Sequence, residues 1–500
     1  MIFKRSLRNV FFVVALCMFA AWPVSAQQKT NIIFIMADDL GYASIGAFGQ
    51  KIIKTPNLDR MAAGGMLLTQ FYANPICSPS RASLITGMHS GHSLVRDNYE
   101  LGGYEDSTEF GQFPLARNMF TVGRVMRSAG YKTAVFGKWG LGGPGSTGVP
   151  WKQGFDFFYG YLDQKQAHNY YPNHLWRNEE LDRFPNAVTS AHQQWDGRDP
   201  ADPASYDRYK GEIYSCDTIT AEAMKYIRSN SADPFFVYLA YTLPHMALQV
   251  PDKYVEQYAG KFDDKPLLGG GYLPHRTPRA AYAAMISLLD DYVGRIMQLL
   301  VDLNIDKNTL IIFTGDNGAA AGGGVASDYF ECSGNLKGRK GSLYEGGIRE
   351  PFIAYWPGVI KAGSKSEHIA ALWDMLPTFA EVGGAHLDKD MPVDGISILP
   401  ELMGKKGQQR HEFLYWEIHR PQKGMQAVRF GDWKAVIRGT HADTVGRIEL
   451  YNLKNDIAEK YDLSQKYPAV VDRAKKYLYS REIAPILEWN FYVPPKPANN

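Results

Sequence analysis

The sequence predicts an α/β fold, in which a large and mostly parallel sheet lies between two layers of helices. Three observations lead to this prediction: short apolar runs without alternation, amphipathic segments between them, and a change of pattern towards the C-terminus. Uninterrupted apolar runs are typical of strands that are buried on both faces of a parallel sheet. The five clearest runs cover residues 31–37, 133–136, 235–241, 309–314 and 352–357.

Amphipathic segments lie between these runs, which is the alternation expected of βα units. Residues 282–303 carry apolar side chains at spacings of three and four from Met285 to Leu299, so these side chains share one face of a helix. Residues 121–128 predict a second helix, which ends shortly before Gly130 and leads into the run at residue 133.

Two regions depart from this pattern. Residues 140–203 are rich in glycine, proline and aromatic residues and predict an elaborate loop region with small helices. After about residue 395, alternating segments separated by turns predict an antiparallel sheet, followed by a helix over residues 468–481. We therefore expect an α/β catalytic domain over residues 27–395 and a smaller α+β subdomain over residues 396–500.

The first 26 residues predict a secretory signal peptide. Basic residues at positions 4, 5 and 8 precede an apolar run over residues 10–21, and Val24 and Ala26 supply small side chains before the cleavage point. Because the apolar run is too short to span a bilayer, we expect an exported protein, periplasmic or extracellular, without a stable membrane anchor. The formal net charge of +2 gives no reason to expect nucleic acid as a partner.

Removal of the signal peptide leaves three cysteines, Cys77, Cys216 and Cys332. In an oxidising compartment an odd number leaves at least one thiol unpaired, and a disulfide between Cys216 and Cys332 stays open. Cys77 lies in the stretch NPICSPSRASLITG, close to prolines and at the predicted start of a helix. These neighbours make Cys77 the candidate for special chemistry.

Polar side chains follow four of the buried runs, at the point where each predicted strand ends. These side chains are Asp38, Asp39, Lys138, His245, Asp316 and Asn317. Because the carboxyl ends of parallel strands form the edge at which open α/β sheets bind ligands, we expect them to meet. One such group is usually a cap or a turn residue, whereas four sets together predict a site.

The acids and the amide of this set are hard oxygen ligands, which predict a site for Ca²⁺ or Mg²⁺ rather than for zinc. The alternative is that DDLG and GDNG are ordinary turns, since Asp, Asn and Gly are common in turns. The position of both motifs directly after buried runs favours the metal. Downstream, the glycine-rich stretch LKGRKGSLYEGGIREP adds cations that suit an oxyanion, Lys340 among them.

The stretch CSPSR, from Cys77 to Arg81, fits the C-x-P-x-R signature of the type I, formylglycine-dependent sulfatases, and the chain resembles this family. Further stretches agree in the expected order, namely NIIFIMADDLGY, TPNLDRMAAGG, YKTAVFGKWGLG, TGDNG and KGSLYEGGIREP. The resemblance extends over residues 30–360. It implies an arylsulfatase-like enzyme, which is a sulfuric ester hydrolase, with an alkaline-phosphatase-like fold.

The resemblance also implies roles for individual residues. A separate maturation enzyme that recognises the C-x-P-x-R motif would oxidise Cys77 to Cα-formylglycine. The acids and the amide at the strand ends would hold a Ca²⁺ ion, rather than Mg²⁺, that also binds the modified residue 77. Arg81 would stabilise the hydrated aldehyde. Lys138, His245 and Lys340 would contact the sulfate.

In this chemistry one hydroxyl of the hydrated aldehyde attacks sulfur, and the other loses its proton when sulfate is expelled. His245 or Lys340 would protonate the leaving oxygen. Many family members have a histidine in the block GKWHLG as the base for the expulsion, but this chain reads GKWGLG, with Gly140 at that position. His168 is one candidate replacement, and the alternative is that it contacts substrate or is a plain loop residue.

The stretch HNYYPNHLWRN places aromatic, histidine and arginine side chains in one loop. Sugar sites use aromatic faces for stacking and polar groups for hydroxyls, so the stretch predicts a sulfated carbohydrate as substrate, with a galactose-type sugar favoured. The candidate substrate-binding residues are His168, His174, Trp176 and Arg177. The alternative is that these side chains pack the loop onto the body of the protein.

Two other functions stay open. One is a formylglycine-dependent hydrolase of phosphonate monoesters or phosphodiesters on the same scaffold. The other is a catalytically silent relative that binds sugar, which the glycine at position 140 suggests. The intact motif at Cys77 and the complete set of acids oppose this last alternative.

Overall fold

The computed structural model describes residues 29–102, 109–322, 324–388, 390–419, 424–439, 446–482, 484, 486 and 489–491. The predicted signal peptide, residues 1–26, lies outside these ranges. Within them the predicted α/β architecture is confirmed, with a large mixed sheet between two helical layers and a smaller antiparallel sheet.

Ten strands of the described residues form the main sheet: β1 (Asn31–Ala37), β2 (Met66–Tyr72), β3 (Lys132–Lys138), β4 (Phe157–Tyr161), β5 (His174–Arg177), β6 (Glu180–Arg183), β7 (Phe235–Ala240), β8 (Thr309–Gly315), β9 (Arg349–Tyr355) and β10 (Ser364–Ala371). Their order across the sheet is β10-β2-β9-β8-β1-β7-β3-β4-β5-β6. The central strands β8, β1, β7, β3 and β4 are parallel, whereas β9 runs antiparallel to both of its neighbours. The central strands are buried on both faces, which explains their unbroken apolar sequences.

The helices of the described residues are α1 (Pro56–Gly64), α2 (Cys77–Thr86), α3 (Val122–Ser128), α4 (Ser215–Ser229), α5 (Asp252–Val255), α6 (Pro278–Asp302), α7 (Glu345–Ile348), α8 (Met375–Gly383), α9 (Leu399–Leu402) and α10 (Pro468–Leu478). Alternate side chains of β1 enter two core layers. Ile33 and Ile35 lie in the layer with α1, α4 and α6, and Ile32 and Phe34 lie in the layer with α2, α3 and α8. Within the described ranges, none of these helices combines the length and the apolar character that crossing a bilayer requires.

The structure differs from the prediction in the strands that lack long apolar runs. β4, β5 and β6 lie in the region predicted as loops, because short strands among glycine and polar residues leave no clear pattern. The predicted strand at 352–357 is β9, which starts three residues earlier and runs antiparallel. The predicted helices at 121–128 and 282–303 are confirmed as α3 and α6.

Four further strands form the small antiparallel sheet: β11 (Leu414–Ile418), β12 (Met425–Phe430), β13 (Trp433–Arg438) and β14 (Arg447–Asn452). α10 packs against β12 and β13 through an apolar cluster that includes Ala474 and Leu478. The alternating segments and the helix predicted after residue 395 are therefore present. The division of the chain into domains at that residue stays a prediction.

A buried network of charges joins the small sheet to the main sheet. Lys434 of β13 is fully buried, and its Nζ lies 2.9 Å from Glu345 Oε1 and 3.0 Å from Glu459 Oε1. Glu345 also accepts hydrogen bonds from Tyr72 Oη at 2.7 Å and from Arg349 Nη1 at 3.0 Å. Burial would raise the pKa of Glu345, but the positive charges of Lys434 and Arg349 lower it to about 2.

Cys216 and Cys332 are buried free thiols rather than disulfide partners. Cys216 Sγ lies 3.2 Å from Thr242 Oγ1, and Cys332 Sγ lies 3.5 Å from Tyr282 Oη. The disulfide that the sequence leaves open is absent from this structure.

We expect Lys434→Met to lower the free energy of unfolding by about 3–5 kcal/mol, because it leaves the buried Glu345 and Glu459 without a shared cation. The matched control is Lys475→Met on α10, whose ion pair with Asp472 is exposed and contributes less than about 1 kcal/mol. Urea unfolding of both variants provides the measurement. Equal stabilities of the two variants would contradict the structural role of the network.

Candidate active site

Four parallel strands bring polar side chains to one edge of the main sheet. β8, β1, β7 and β3 are neighbours in this order, and each pair is in parallel register up to its carboxyl end. Asp38 and Asp39 follow β1, Asp316 and Asn317 follow β8, His245 lies beyond β7, and Lys138 is the last residue of β3. The convergence of strand ends expected from the sequence is therefore present.

Asp38 lies at the centre of this edge and is fully buried. Its Oδ2 accepts a hydrogen bond from Lys138 Nζ at 2.6 Å and lies 3.4 Å from Arg81 Nη2. Its Oδ1 accepts from Cys77 Sγ at 3.3 Å. Burial would raise the pKa of Asp38, but the positive charges of Lys138 and Arg81 outweigh burial and hold this pKa well below its usual range. Asp38 is therefore a carboxylate.

Cys77 is the first residue of α2, and all ten residues of this helix are buried. The N–H groups of the first turn carry partial positive charge close to residue 77. Burial and the negative charge of Asp38 raise the pKa of the Cys77 thiol far above its usual range. An unmodified Cys77 is therefore protonated and a poor nucleophile.

Arg81 lies one turn further along α2 and ties the strand ends together. Its Nη2 lies 3.0 Å from Asp316 Oδ2, and its Nη1 donates to the Lys138 carbonyl oxygen at 2.6 Å. The other oxygen of Asp316 accepts the backbone N–H of Asp39 at 3.0 Å. Arg81 thus holds the ends of β1, β3 and β8 in fixed positions relative to α2.

Lys340 and His245 both lie beside Asp39. Lys340 Nζ lies 2.8 Å from Asp39 Oδ1 and 3.2 Å from His245 Nε2. His245 Nδ1 contacts the Met246 carbonyl oxygen, which can only accept, so we assign the ring hydrogen to Nδ1 and the lone pair to Nε2. Burial lowers the pKa of His245 to about 4, which agrees with a neutral ring that accepts from Lys340.

The oxygen atoms at this edge fit a divalent cation. Asn317 donates from Nδ2 to Asp39 Oδ1 at 2.7 Å, and its buried Oδ1 has no hydrogen-bond partner within the described part of the chain. Burial and the charge of Asp38 raise the pKa of Asp316 to about 7. A divalent cation would satisfy the Asn317 oxygen and offset the crowded negative charge, and carboxylate and amide oxygens suit Ca²⁺ or Mg²⁺.

Gln164 occupies the space beside Gly140. Gly140 has a φ of +73°, in the left-handed region that favours glycine, and a Cβ there would lie 2.7 Å from Gln164 Cγ. The buried Gln164 amide contacts Ser78 Oγ, which donates to the Gly140 carbonyl oxygen at 2.9 Å. The place that a side chain at position 140 would take, next to residue 77, is therefore filled from another loop. The sequence alone does not single out Gln164.

His168, His192, His245 and Tyr272 form an aromatic cluster at the same edge. The His168 ring stacks on His245, with ring centroids 4.4 Å apart and an angle of 11° between the planes. His168 Nδ1 lies 2.8 Å from His192 Nε2, and the His192 and Tyr272 rings are 4.5 Å apart. The sequence points to His168 and His245 but not to His192 or Tyr272, which lie in stretches without a recognisable motif.

His174, Trp176 and Arg177 make contacts within the protein. His174 Nε2 and Trp176 Nε1 lie 2.7 Å and 3.0 Å from the same oxygen of Glu109. Arg177 donates to Glu222 at 2.8 Å. Substrate binding by these three residues stays a prediction, and the contacts favour the alternative that they fasten the loop to the sheet.

Comparisons with known proteins agree with this geometry. A family model described as Sulfatase matches residues 30–385. The chain belongs to the sulfatase family. A model described as N-sulphoglucosamine sulphohydrolase, C-terminal, matches residues 339–482 of the same sulfatase chain. Family members are sulfuric ester hydrolases that depend on formylglycine and use a metal ion.

Several relatives cover most of this sulfatase. It is 32% identical to N-acetylgalactosamine-6-sulfatase of Mus musculus, over 82% of this chain and 72% of the relative. It is 31% identical to arylsulfatase A of Homo sapiens, over 88% and 84% of the two chains. The crystal structure of Ps i-CgsB in complex with k-i-k-neocarrahexaose is similar, with 27% identity, a TM-score of 0.73 and coverage of 93% of this chain and 95% of that one.

We expect Asn317→Ala to weaken binding of Ca²⁺ or Mg²⁺ at least about tenfold, because it removes a buried amide oxygen that has no hydrogen-bond partner within the described residues. Isothermal titration calorimetry on protein with unmodified Cys77 measures the affinity without any contribution from turnover. The matched control, Asn455→Ala, changes an exposed asparagine and should leave the affinity unchanged. Equal affinities of the two variants would exclude Asn317 as a ligand.

Proposed function

We propose that this chain is an exported sulfatase that removes sulfate esters from a sulfated carbohydrate. The observation that carries the proposal is the position of Cys77. It starts a buried helix, lies 3.3 Å from Asp38, and shares one sheet edge with two lysines and a histidine. This is the arrangement that a formylglycine-dependent reaction on an anionic ester requires.

Two groups complete the proposed site. A maturation enzyme that recognises Cys77, Pro79 and Arg81 converts Cys77 to formylglycine, and Asp38, Asp39, Asp316 and Asn317 hold a Ca²⁺ ion together with residue 77. When present, the hydrated aldehyde supplies a hydroxyl nucleophile and the Ca²⁺ ion withdraws charge from the sulfate oxygens.

The cations of the chain bind and orient the sulfate. Lys138 and Lys340 are held by different carboxylates, Asp38 and Asp39, so their ammonium groups are positioned independently. Their N–H groups offset the charge of the sulfate oxygens. Lys340 Nζ donates to His245 Nε2 in this structure, and this pair supplies the proton for the leaving oxygen.

His168 is proposed as the base that takes the place of the family histidine at position 140. Gln164 closes the space beside Gly140, so the base must come from another element. His168 lies four residues after Gln164 and stacks on His245. Burial lowers the pKa of His168 well below the usual range for histidine, and the positive charges of the nearby Lys138 and Lys340 contribute to this shift.

A sulfated carbohydrate is the proposed substrate class, with a galactose-type sugar favoured. The aromatic cluster offers ring faces and polar ring atoms beside the catalytic edge, as sugar sites do. Two relatives support this choice: one is named for N-acetylgalactosamine 6-sulfate, and the crystal structure of another holds a neocarrahexaose.

The modification of residue 77 provides the direct test of the proposed chemistry. We expect mass analysis of the tryptic peptide from protein made in the native host to show formylglycine at position 77, and Cys77→Ala to abolish hydrolysis of sulfate esters. Cys216→Ala, which changes another buried thiol that contacts Thr242 rather than Asp38, is the control and should retain activity. An unmodified thiol in active native protein would contradict the mechanism.

The choice between sulfate and phosphorus esters is tested with matched substrates. We expect kcat/KM for the sulfate monoester of one alcohol to exceed the values for its phosphonate monoester and phosphodiester by at least about a hundredfold, because contacts made only in the transition state determine this ratio. A higher value for a phosphorus ester would favour the phosphonate or phosphodiester hydrolase. Sugar binding without turnover on any ester would favour the silent relative.

A further inference from the structure

A chain of hydrogen bonds leads from a backbone carbonyl to His168. His192 Nδ1 lies 2.6 Å from the carbonyl oxygen of Gly271. A carbonyl oxygen can only accept, so Nδ1 of His192 carries the ring hydrogen. In the neutral ring the lone pair is then on Nε2, which can only accept. The backbone at Gly271 therefore determines the tautomer of His192.

The same argument extends to the next ring. His192 Nε2 lies 2.8 Å from His168 Nδ1, and because His192 Nε2 is an acceptor, His168 Nδ1 must donate. The lone pair of neutral His168 is then on Nε2. Within the described part of the chain, His168 Nε2 makes no hydrogen bond, so its lone pair is free to accept a proton.

The surroundings of both rings favour the neutral form. Burial lowers the pKa of His192, and burial, with a contribution from the positive charges of Lys138 and Lys340, lowers the pKa of His168 well below its usual range. The ring of His168 is also held in place on its face, since it stacks on His245 at 4.4 Å and lies 5.5 Å from the Tyr272 ring. Stacking thus determines the orientation of the His168 ring, and the hydrogen bond to His192 determines its tautomer.

We propose that His192 is a positioning residue, which holds His168 as the Nδ1–H tautomer and leaves Nε2 as the proton acceptor of the reaction. This inference rests on the base role proposed for His168. In the step itself, the free hydroxyl of a hydrated aldehyde at residue 77 would give its proton to His168 Nε2, and the resulting imidazolium would keep its Nδ1–H bond to His192. The electron pair of the broken O–H bond would form the C=O bond of the aldehyde, and the bond between the carbon of residue 77 and the sulfate oxygen would break, so that sulfate leaves with that bond's electron pair.

Two variants separate the hydrogen bond from the packing. His192→Phe keeps a ring against Tyr272 but removes the acceptor for His168 Nδ1–H. His192→Gln loses the ring but places an amide oxygen near the position of Nε2, so it retains an acceptor. If His192 only fills space, His192→Phe should impair the enzyme less than His192→Gln does. If His192 holds the tautomer of His168, His192→Gln should impair the enzyme less than His192→Phe does.

The first readout is the tautomer, measured by ¹⁵N NMR on histidine-labelled protein with unmodified Cys77. The chain has 12 histidines, and His168→Gln identifies the signals of His168. We expect a protonated Nδ1 and an unprotonated Nε2 in the unchanged chain and in His192→Gln, and loss of this state in His192→Phe. A protonated Nε2 in the unchanged chain, or the same tautomer in His192→Phe, would overturn the inference.

The second readout is turnover of an aryl sulfate, which has no sugar hydroxyls, by enzyme that carries formylglycine. We expect His192→Phe to lower kcat at least about tenfold and His192→Gln to restore most of it, as for supporting residues of other sites. Unchanged kcat in His192→Phe or in His168→Ala, or an effect confined to KM for a sugar sulfate, would overturn the inference. Failure of the proposed function is distinguishable, because then the unchanged enzyme hydrolyses no sulfate ester while the NMR signals still report the tautomer.

Discussion

Charge balance around the buried Asp38 is the constraint on which the active-site edge depends. Its carboxylate has no access to water, so it stays ionised only because Lys138 and Arg81 reach it from β3 and α2. These partners come from separate elements, and the parallel register of the central strands sets the distances between them. A one-residue shift of β3 would turn Lys138 to the other face and leave Asp38 without its nearest cation. The fold and the chemistry of the site therefore cannot be separated at this position.

The parts of the molecule that the sequence predicts are those whose physical cause is local. Apolar runs in the sequence predict the buried central strands. Because the carboxyl ends of parallel strands form one edge of the sheet, the sequence also predicts that Asp38, Lys138 and Asp316 lie close together. The direction of β9 and the short strands β4 to β6 depend on neighbours that are distant in the chain, so no local pattern shows them. No local pattern shows the roles of Gln164 and His192 either, since these roles arise only when separate loops pack together.

The small C-terminal sheet contributes to the site through the segment that carries Lys340. Just beyond Lys340, the N–H of Gly341 donates at 2.8 Å to the carbonyl oxygen of Pro75, which lies two residues before the start of α2. At the other end of the segment, the N–H of Glu345 donates to Glu459 at 2.6 Å, and Glu345 pairs with the buried Lys434. The segment is thus held between the helix of residue 77 and the small sheet. The buried ion pairs at this interface therefore help to hold the end of the segment in place.

Gly140 and Gln164 show how a proton acceptor can move from a strand end to a loop. A glycine at positive φ leaves room beside Ser78, and the loop that fills this room with Gln164 continues through a short 3-10 helix to His168. A histidine at the end of a strand is oriented by the sheet, whereas one on a loop has no such support. His168 obtains its orientation from stacking on His245, and its tautomer from a hydrogen-bond chain that ends on a backbone carbonyl. Because that carbonyl cannot change its role as acceptor, the chain determines which nitrogen of His168 holds the lone pair, as a carboxylate partner does for histidine in other active sites.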